Sequence, residues 1–292
     1  MEKLLLELSE YFLRQVSPMV LRFVQQRSGG EVIGRVAGRA VTEDEEIELD
    51  RACDKLFKQT LRRYRRSHGL KIHAYSEHGI YGTSLAESQF LCAIDPFDGS
   101  GLFRRGLPAE WWSVLTIFNL EGKPIVGGAV DILREELFLA GKGEVVMISL
   151  RTETREIVVP PRVIALDRDT KIAAYFMNDD YRVEWDSRTE NLRLSVPGRL
   201  TWPNGGSCIY PWLASGRVHA YMMFREPRSE IDPGLAFVKA AQLSLFSVQA
   251  SGEISPYRYD PKRQRTGRIP FFIAACTAEL AQEIVQVVQG SS

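Results

Sequence analysis

Apolar residues recur at helical spacing in two stretches near the amino terminus. In residues 3–27 they lie three or four positions apart, which predicts a helix that Pro18 should kink or divide. Residues 45–63 repeat the pattern and predict a second amphipathic helix with Asp50 in its first turns. The segment between them, 28–44, is rich in glycine and charge and is expected to form a mobile loop.

The middle of the chain changes to the pattern of β-strands. Residues 90–94 form an apolar run that ends in turn-forming residues, which is typical of a buried strand. Three further strands are predicted as a meander, at 111–118, 125–132 and 136–140. Residues 151–170 are charged and are expected to be irregular.

Strand and helix patterns alternate in the second half. Apolar runs predict strands at 172–176, 218–224 and 271–275, and helical spacing predicts helices at 235–246 and 278–288. This mixture indicates an α/β or α+β fold. A chain of 292 residues exceeds the usual single core, so we expect one domain of two lobes, about 1–150 and 151–292.

Composition narrows the class of protein. Lys plus Arg and Asp plus Glu both number 37, and this balance argues against a nucleic-acid partner, which requires a basic surface. No apolar run is long enough to span a membrane, and no signal peptide is visible. The four cysteines are widely spaced, which favours reduced thiols and a cytoplasmic location.

The candidate chemistry begins where the 90–94 strand ends, at Asp95-Pro96-Phe97-Asp98-Gly99-Ser100. Two carboxylates at the end of a buried strand are costly without a cation, and oxygen ligands suit Mg²⁺. The glycine permits a tight turn whose N–H groups can point at an anion. A metal and phosphate site is one interpretation of this hexapeptide, and an ordinary Asp-Pro-Gly turn is the other.

Three more acids occupy suggestive positions. Glu77 follows an apolar segment, Asp232 precedes the 235–246 helix, and Asp50 lies in the second predicted helix. Each has a simpler explanation: Glu77 as an exposed loop acid, Asp232 as a helix N-cap, and Asp50 as a solvated helix residue.

Taken together, the acids resemble a known pattern. Residues 95–100 match the central motif of the inositol monophosphatase family, which belongs to the lithium-sensitive phosphatases with fructose-1,6-bisphosphatase. The family's upstream metal Glu falls at Glu77 and its late metal Asp at Asp232, and the resemblance covers about residues 45–252. It implies a layered α-β-α-β-α sandwich and a homodimer.

The resemblance also implies roles for individual residues. Two Mg²⁺ ions would be held by Glu77, Asp95, the carbonyl of Phe97, Asp98 and Asp232. Catalysis would involve Glu77 together with Ser100, which orients the attacking water, and Asp50, which accepts from Ser100. The substrate, a small phosphorylated sugar or inositol, would contact Gly99, Ser100, Gly206 and Ser207. The implied activity is hydrolysis of a phosphate monoester by a water activated between two metal ions.

Several positions depart from the family pattern. His78 replaces a second Glu, Ile231 replaces a Trp, Leu102 replaces an Asn, and the acid that grips inositol has no clear counterpart within 222–225. These changes leave the substrate open among inositol monophosphate, fructose bisphosphate and nucleotide bisphosphate. They also motivate an alternative function, binding of a phosphorylated metabolite or partner protein without turnover.

Five side chains near the motifs have two interpretations each. His78 is either a general acid or ligand, or a solvated loop residue. Four arginines either hold a second phosphate or are solvated surface residues: Arg104, Arg105, Arg225 and Arg228.

Overall fold

The computed structural model describes residues 1–35, 45–249, 251–261 and 267–290. The helices of these residues are α1 (Glu2–Gln26), α2 (Glu48–His68), α3 (Ser100–Arg104), α4 (Asp179–Arg188), α5 (Glu190–Ser195), α6 (Ile209–Ala214), α7 (Arg228–Ile231), α8 (Leu235–Ala240) and α9 (Ala278–Gln289), with 3₁₀ turns at Leu85–Glu87 and Asp232–Gly234. None of these helices combines the length and the apolar character that crossing a membrane requires.

The strands of the same residues fall into three sheets. They are β1 (Val32–Arg35), β2 (Glu45–Ile47), β3 (Ile72–Ser76), β4 (Gly79–Gly82), β5 (Phe90–Asp98), β6 (Trp112–Phe118), β7 (Pro124–Asp131), β8 (Glu136–Gly141), β9 (Glu144–Ser149), β10 (Arg155–Val158), β11 (Ile172–Ala173), β12 (Thr201–Trp202), β13 (Ala220–Pro227), β14 (Ser244–Val248), β15 (Ile254–Pro256) and β16 (Arg268–Ala275). One sheet has eight strands in the order β10-β9-β8-β7-β6-β5-β3-β4, a second has six in the order β12-β11-β13-β16-β14-β15, and β1 pairs with β2.

The eight-stranded sheet is buried on both faces. Successive side chains of β5 alternate between two apolar clusters, with Cys92 and Ile94 on the side of α1 and α2, and Leu91 and Ala93 on the opposite side. The second cluster continues through α6 and α8 into the six-stranded sheet, which α9 covers. Burial on both faces explains why residues 90–94 are a continuous apolar run. The layered α-β-α-β-α sandwich is confirmed.

A buried threonine of the eight-stranded sheet bonds to the start of α8 near the candidate site. The hydroxyl of Thr116 on β6 donates to the carbonyl of Pro233 over 2.7 Å and accepts from the Ala236 N–H over 3.0 Å. The start of α8, and with it the segment that carries Asp232, is therefore held against the sheet that carries Asp95.

The predicted meander is confirmed: β6, β7 and β8 are antiparallel neighbours. α1 runs unbroken through Pro18, because its face with Val16 and Val20 is buried and tertiary packing outweighs one lost hydrogen bond.

The strand predicted at 172–176 is shorter in the structure, where β11 is Ile172–Ala173. Three other local predictions differ because a β-partner was not visible in the pattern. β14 pairs with β16 where the helix at 235–246 was expected to continue, and β10 pairs with β9 within the segment expected to be irregular. β1 occupies 32–35 of the predicted loop, and the rest of that loop lies outside the described residues.

Candidate active site

The acids of the central motif lie in the last residues of β5. Asp95 pairs with Val114 and Asp98 with Trp112 of β6, and the register is irregular between them. Pro96 has no N–H to donate, which favours such an interruption. The irregularity lets residues three positions apart, which a regular strand would direct to opposite faces, approach one another. The hydroxyl of Ser207 lies 3.1 Å from Asp95 Oδ2 and 3.2 Å from Asp98 Oδ2.

A third carboxylate joins these two. One oxygen each of Asp95, Asp98 and Glu230 lies within 4.8 Å of the others, an arrangement that could hold a metal ion. Gly206, with φ 111°, closes the cluster from one side: a Cβ at this position would lie 3.0 Å from Glu230 Oε2 and 3.1 Å from Asp98 Oδ2. Only glycine lets the backbone pass so close to both acids.

The two β5 acids have raised pKa values. Burial, followed by the nearby charges of Asp98 and Glu77, raises the pKa of Asp95 well above its ordinary range. Burial also raises the pKa of Asp98, to about 6, although the Cys208 N–H donates to it over 2.9 Å. Asp95 is 5% exposed, and its Oδ1 is a buried oxygen without a hydrogen-bond partner among the described residues.

The predicted Ser100–Asp50 pair is present as a contact. The Ser100 hydroxyl lies 2.6 Å from Asp50 Oδ1 and 3.1 Å from the Phe97 carbonyl. Asp50 Oδ2 accepts from the Ile47 N–H over 2.8 Å, which fixes the carboxylate at the start of α2. Asp50 is 1% exposed, so it is not a solvated helix residue, and burial raises its pKa to about 7.

Glu77 faces a cation from its own chain. The side chain is 13% exposed, so Glu77 is not an exposed loop acid, and its Oε1 lies 3.2 Å from Nε2 of His78. Burial lowers the pKa of His78, but the contact with Glu77 and the charges of Asp50 and Asp54 outweigh it and raise that pKa to about 9. The imidazole is therefore protonated at neutral pH, and the interpretation of His78 as a solvated residue is wrong.

Asp232 also faces a cation. Its Oδ2 lies 3.7 Å from Nε of Arg228, and its Oδ1 accepts from the Tyr257 hydroxyl over 2.6 Å. It is buried and makes no side-chain capping bond, so it does not act as an N-cap. Burial raises its pKa to about 6, against the opposing charge of Arg228.

The predicted substrate residues have contacts inside the fold. The Gly206 N–H donates to the Tyr221 hydroxyl over 2.8 Å, and Ser207 is buried against the β5 acids. Gly99, with φ 110°, lies so close to the backbone of Glu110 that a Cβ would meet the Glu110 carbonyl oxygen at 2.5 Å. The turn at the end of β5 therefore requires glycine.

The four arginines separate by burial. Three are partly or largely exposed, with contacts to Glu45 (Arg104), the Gly101 carbonyl (Arg105) and Glu184 (Arg225). Arg228 is 2% exposed, so its interpretation as a solvated surface residue is wrong.

Glu230 was missed by the sequence analysis, which passed over it in favour of Asp232. Helical spacing gives only part of the signal, because it separates the two faces of the turn without showing which face is directed at the β5 acids. Positions 228 and 232 are four apart and share a face of a helical turn, whereas 230 lies on the opposite face. The structure has this arrangement: α7 and the following 3₁₀ turn direct Asp232 to Arg228 and Glu230 to the β5 acids.

The residues fit a divalent metal ion. Three carboxylates converge, two of them have pKa values raised chiefly by burial, and a buried oxygen of Asp95 lacks a hydrogen-bond partner within the ranges that the structure describes. Clustered carboxylates are stabilised by a cation, and an all-oxygen donor set suits a hard ion.

Comparison with known proteins supplies structural relatives. No protein-family model matches the sequence, and no curated protein matches it. Among solved structures, the extragenic suppressor protein SuhB from Bartonella henselae is 16% identical, with a TM-score of 0.69 and 98% of each chain covered.

Two further relatives agree. An inositol monophosphatase from Thermotoga maritima is 18% identical, with a TM-score of 0.66 over 99% of this chain and 98% of the other. An inositol monophosphatase from Anabaena is 16% identical, with a TM-score of 0.67 over 98% and 95%. The resemblance drawn from the sequence is thus confirmed at the level of the fold, and the chain has the fold of the inositol monophosphatase family.

Proposed function

We propose that this protein is a metal-dependent phosphomonoesterase that hydrolyses a small sugar or inositol phosphate. The observation that carries the proposal is the convergence of Asp95, Asp98 and Glu230, with a buried Asp95 oxygen that no described residue hydrogen-bonds, in a chain whose Ser100 contacts Asp50. The fold adds support, since structural relatives are inositol monophosphatases by name.

The metal would be held by the β5 acids, with Glu77 and the Phe97 carbonyl beside them and Asp232 as the predicted ligand of a second ion. When bound, a divalent ion such as Mg²⁺ polarises a phosphoryl oxygen and lowers the pKa of a water molecule. The carboxylates of the chain hold and orient the ion.

Ser100 would orient the attacking water, and Asp50 would accept its proton. When the Ser100 hydroxyl donates to Asp50 Oδ1, its oxygen lone pairs are free to accept from a water and orient it. With a pKa of about 7, Asp50 can take a proton through this hydroxyl near neutral pH. The Ile47 N–H holds the carboxylate in that orientation.

A small phosphorylated substrate is the class that the predicted contacts favour. In the predicted site, Gly99, Ser100, Gly206 and Ser207 would contact the substrate, and the turn at Gly99 would offer backbone N–H groups to its phosphate. Arg104 at the end of α3 and Arg105 after it are exposed and would meet a second anionic group, whereas Arg228 is buried against Asp232. The homodimer and the cytoplasmic location stay predictions.

A panel of phosphate monoesters tests the proposal. Turnover of inositol, sugar and nucleotide phosphates should require Mg²⁺, stop when a strong chelator is added and return when Mg²⁺ is restored. Excess Ca²⁺ should inhibit, because it takes more ligands at longer distances than Mg²⁺. Lithium should inhibit more weakly. Full activity in the chelator, or no hydrolysis of any ester at any Mg²⁺ concentration, would contradict the proposal.

A second candidate function is binding of a phosphorylated metabolite or partner protein without turnover. The contacts of Glu77 with His78 and of Asp232 with Arg228 favour it, because both acids already have a cation. It predicts that isothermal titration with the same esters gives saturable binding while phosphate release stays at background.

A further inference from the structure

Arg228 is a buried cation with few partners. It is 2% exposed, and its three guanidinium nitrogens lack hydrogen-bond partners among the described residues. Its guanidinium carbon lies 5.2 Å from the ring centroid of Tyr257, and Asp232 Oδ2 lies 3.7 Å from its Nε. A buried charge is strongly destabilising unless an opposite charge compensates it, so the fold commits Arg228 to Asp232.

The acids on β5 are in the opposite situation. The carboxylate of Asp98 accepts from the neutral Ser207 hydroxyl and Cys208 N–H, and the carboxylate of Asp95 accepts from the Ser207 hydroxyl. One buried oxygen of Asp95 has no hydrogen-bond partner in the described part of the chain. Carboxylates at this separation repel one another, and a cation from solution relieves the repulsion.

The geometry of residues 228–232 separates the two environments. Arg228 and Asp232 are four positions apart on one face, and Glu230 points from the other face toward Asp95 and Asp98. One helical turn thus directs Glu230 toward Asp95 and Asp98, and the same turn pairs Asp232 with Arg228.

We propose that the site holds one divalent ion, bound by Asp95, Asp98 and Glu230, and that Arg228 is a fixed internal cation that takes the place of a second metal ion at Asp232. This inference rests on the proposed function, which supplies the kind of metal ion. It differs from the proposed function in the number of ions bound and in the roles of two residues. Glu230 becomes a metal ligand, and Asp232 becomes the partner of an arginine.

The test is the stoichiometry of Mn²⁺ binding to the metal-free full chain. The electron paramagnetic resonance signal of free Mn²⁺ measures how much of the added metal remains unbound. The wild type should bind one ion. Glu230→Gln should weaken binding by at least about tenfold, or about 1.4 kcal/mol, whereas Asp232→Asn should keep one ion with Kd changed by less than about threefold. Matched exposed acids, Glu190→Gln and Asp186→Asn, should leave binding unchanged.

Arg228→Met tests the second half of the inference. It removes the charge at similar length, so Asp232 becomes free to bind and the stoichiometry should rise to two, with Arg228→Lys remaining at one. Circular dichroism checks that each variant folds, and if Arg228→Met does not fold, the comparison of Glu230→Gln with Asp232→Asn decides.

Other outcomes would overturn the inference. These are two ions in the wild type, loss of binding in a folded Asp232→Asn, unchanged binding in a folded Glu230→Gln, or one ion in a folded Arg228→Met. The phosphate-ester panel is a separate readout: hydrolysis with two ions bound refutes this inference alone, and one ion bound without hydrolysis refutes the proposed function alone.

Discussion

The acids around the site divide into two regions according to what they face. At the end of β5, Asp95 and Asp98 face one another and Glu230, and their bonds come from neutral donors. At the two flanks, Glu77 faces the protonated His78, and Asp232 faces Arg228. Among the described residues, Asp95 and Asp98 accept from neutral donors, whereas Glu77 and Asp232 each have a cation of the same chain beside them.

The difference teaches where an external cation is required. Burial raises the pKa of Asp95, Asp98 and Asp232 alike, so burial alone does not distinguish the regions. The neighbours do: the charges that act on Asp95 are other acids, whereas the leading charge on Asp232 is Arg228. A bound metal ion should therefore be stabilised most strongly by the acids at the end of β5.

Asp95→Asn, in the first region, should have the largest effect on turnover. We expect turnover to fall by more than about 10⁴-fold, because an amide cannot supply the charge that the metal requires. The metal-free variant should be at least as stable as the wild type in urea, since the amide relieves repulsion and can donate to Asp98. A rate within about tenfold of the wild type would contradict the assignment, and Asp186→Asn is the exposed control.

The first region was largely predictable from the sequence. The run of residues 90–94, the turn formers after it and the spacing of Asp95 and Asp98 follow from strand burial and from the cost of burying acids. Asp50 and Ser100, fifty positions apart, were paired through the resemblance to a known motif, and the structure has them in contact.

The second region was not predictable to the same degree. Which of Glu230 and Asp232 faces the β5 acids depends on the rotation of a single helical turn, α7, and tertiary contacts such as Thr116 with Pro233 set that rotation. For the same reason the burial of Arg228 was not visible, since a four-residue helix has no periodicity to analyse. The predicted end of the 235–246 helix was wrong for a similar reason, because β14 is defined by its pairing with β16.

Ser100→Ala and Asp50→Asn come next in expected effect. Each should lower kcat by roughly 10²–10⁴, the range for lost acid–base assistance, and the double variant should lose little more than either one. Ser100→Thr keeps the hydroxyl and is the control that should stay active. An additive double variant, or an inactive Ser100→Thr beside an active Ser100→Ala, would remove these residues from the mechanism.

Gly206→Ala should have a smaller effect, confined to the first region. A Cβ would approach Asp98 and Glu230 to about 3 Å, so we expect Mn²⁺ affinity to fall by roughly tenfold, with a stability loss of about 1–3 kcal/mol from the strained backbone. Gly143→Ala is the matched control, because Gly143 also has a positive φ, of 78°, but its Cβ would meet nothing within 4 Å. Equal losses of affinity in both variants would mean that strain, not contact with the acids, is responsible.

Glu110→Gln should leave turnover nearly unchanged but should change how the free energy of unfolding depends on pH. Glu110 is buried, accepts from the Trp202 indole N–H and has a second oxygen without a hydrogen-bond partner among the described residues, so it tests the effect of burial on an acid that is not one of the three clustered carboxylates. Burial raises its pKa from 4.5 to about 7. The folded state thus binds the proton more tightly, and the stability from this group is full below about pH 4.5 and is lost as the pH rises through about 7.

The metal-free wild type should therefore lose about 1–3 kcal/mol more stability between pH 5 and pH 8 than Glu110→Gln, whose amide keeps the acceptor for Trp202 and does not ionise. Urea denaturation at the two pH values measures this difference, and comparison of the two proteins cancels the titration of Asp50 and Asp232, whose charges do not act on Glu110. Glu121→Gln, at an exposed turn, should follow the wild type. If the two pH profiles coincide, Glu110 titrates near its ordinary value, and burial is not sufficient to raise the pKa of a carboxyl group next to the site.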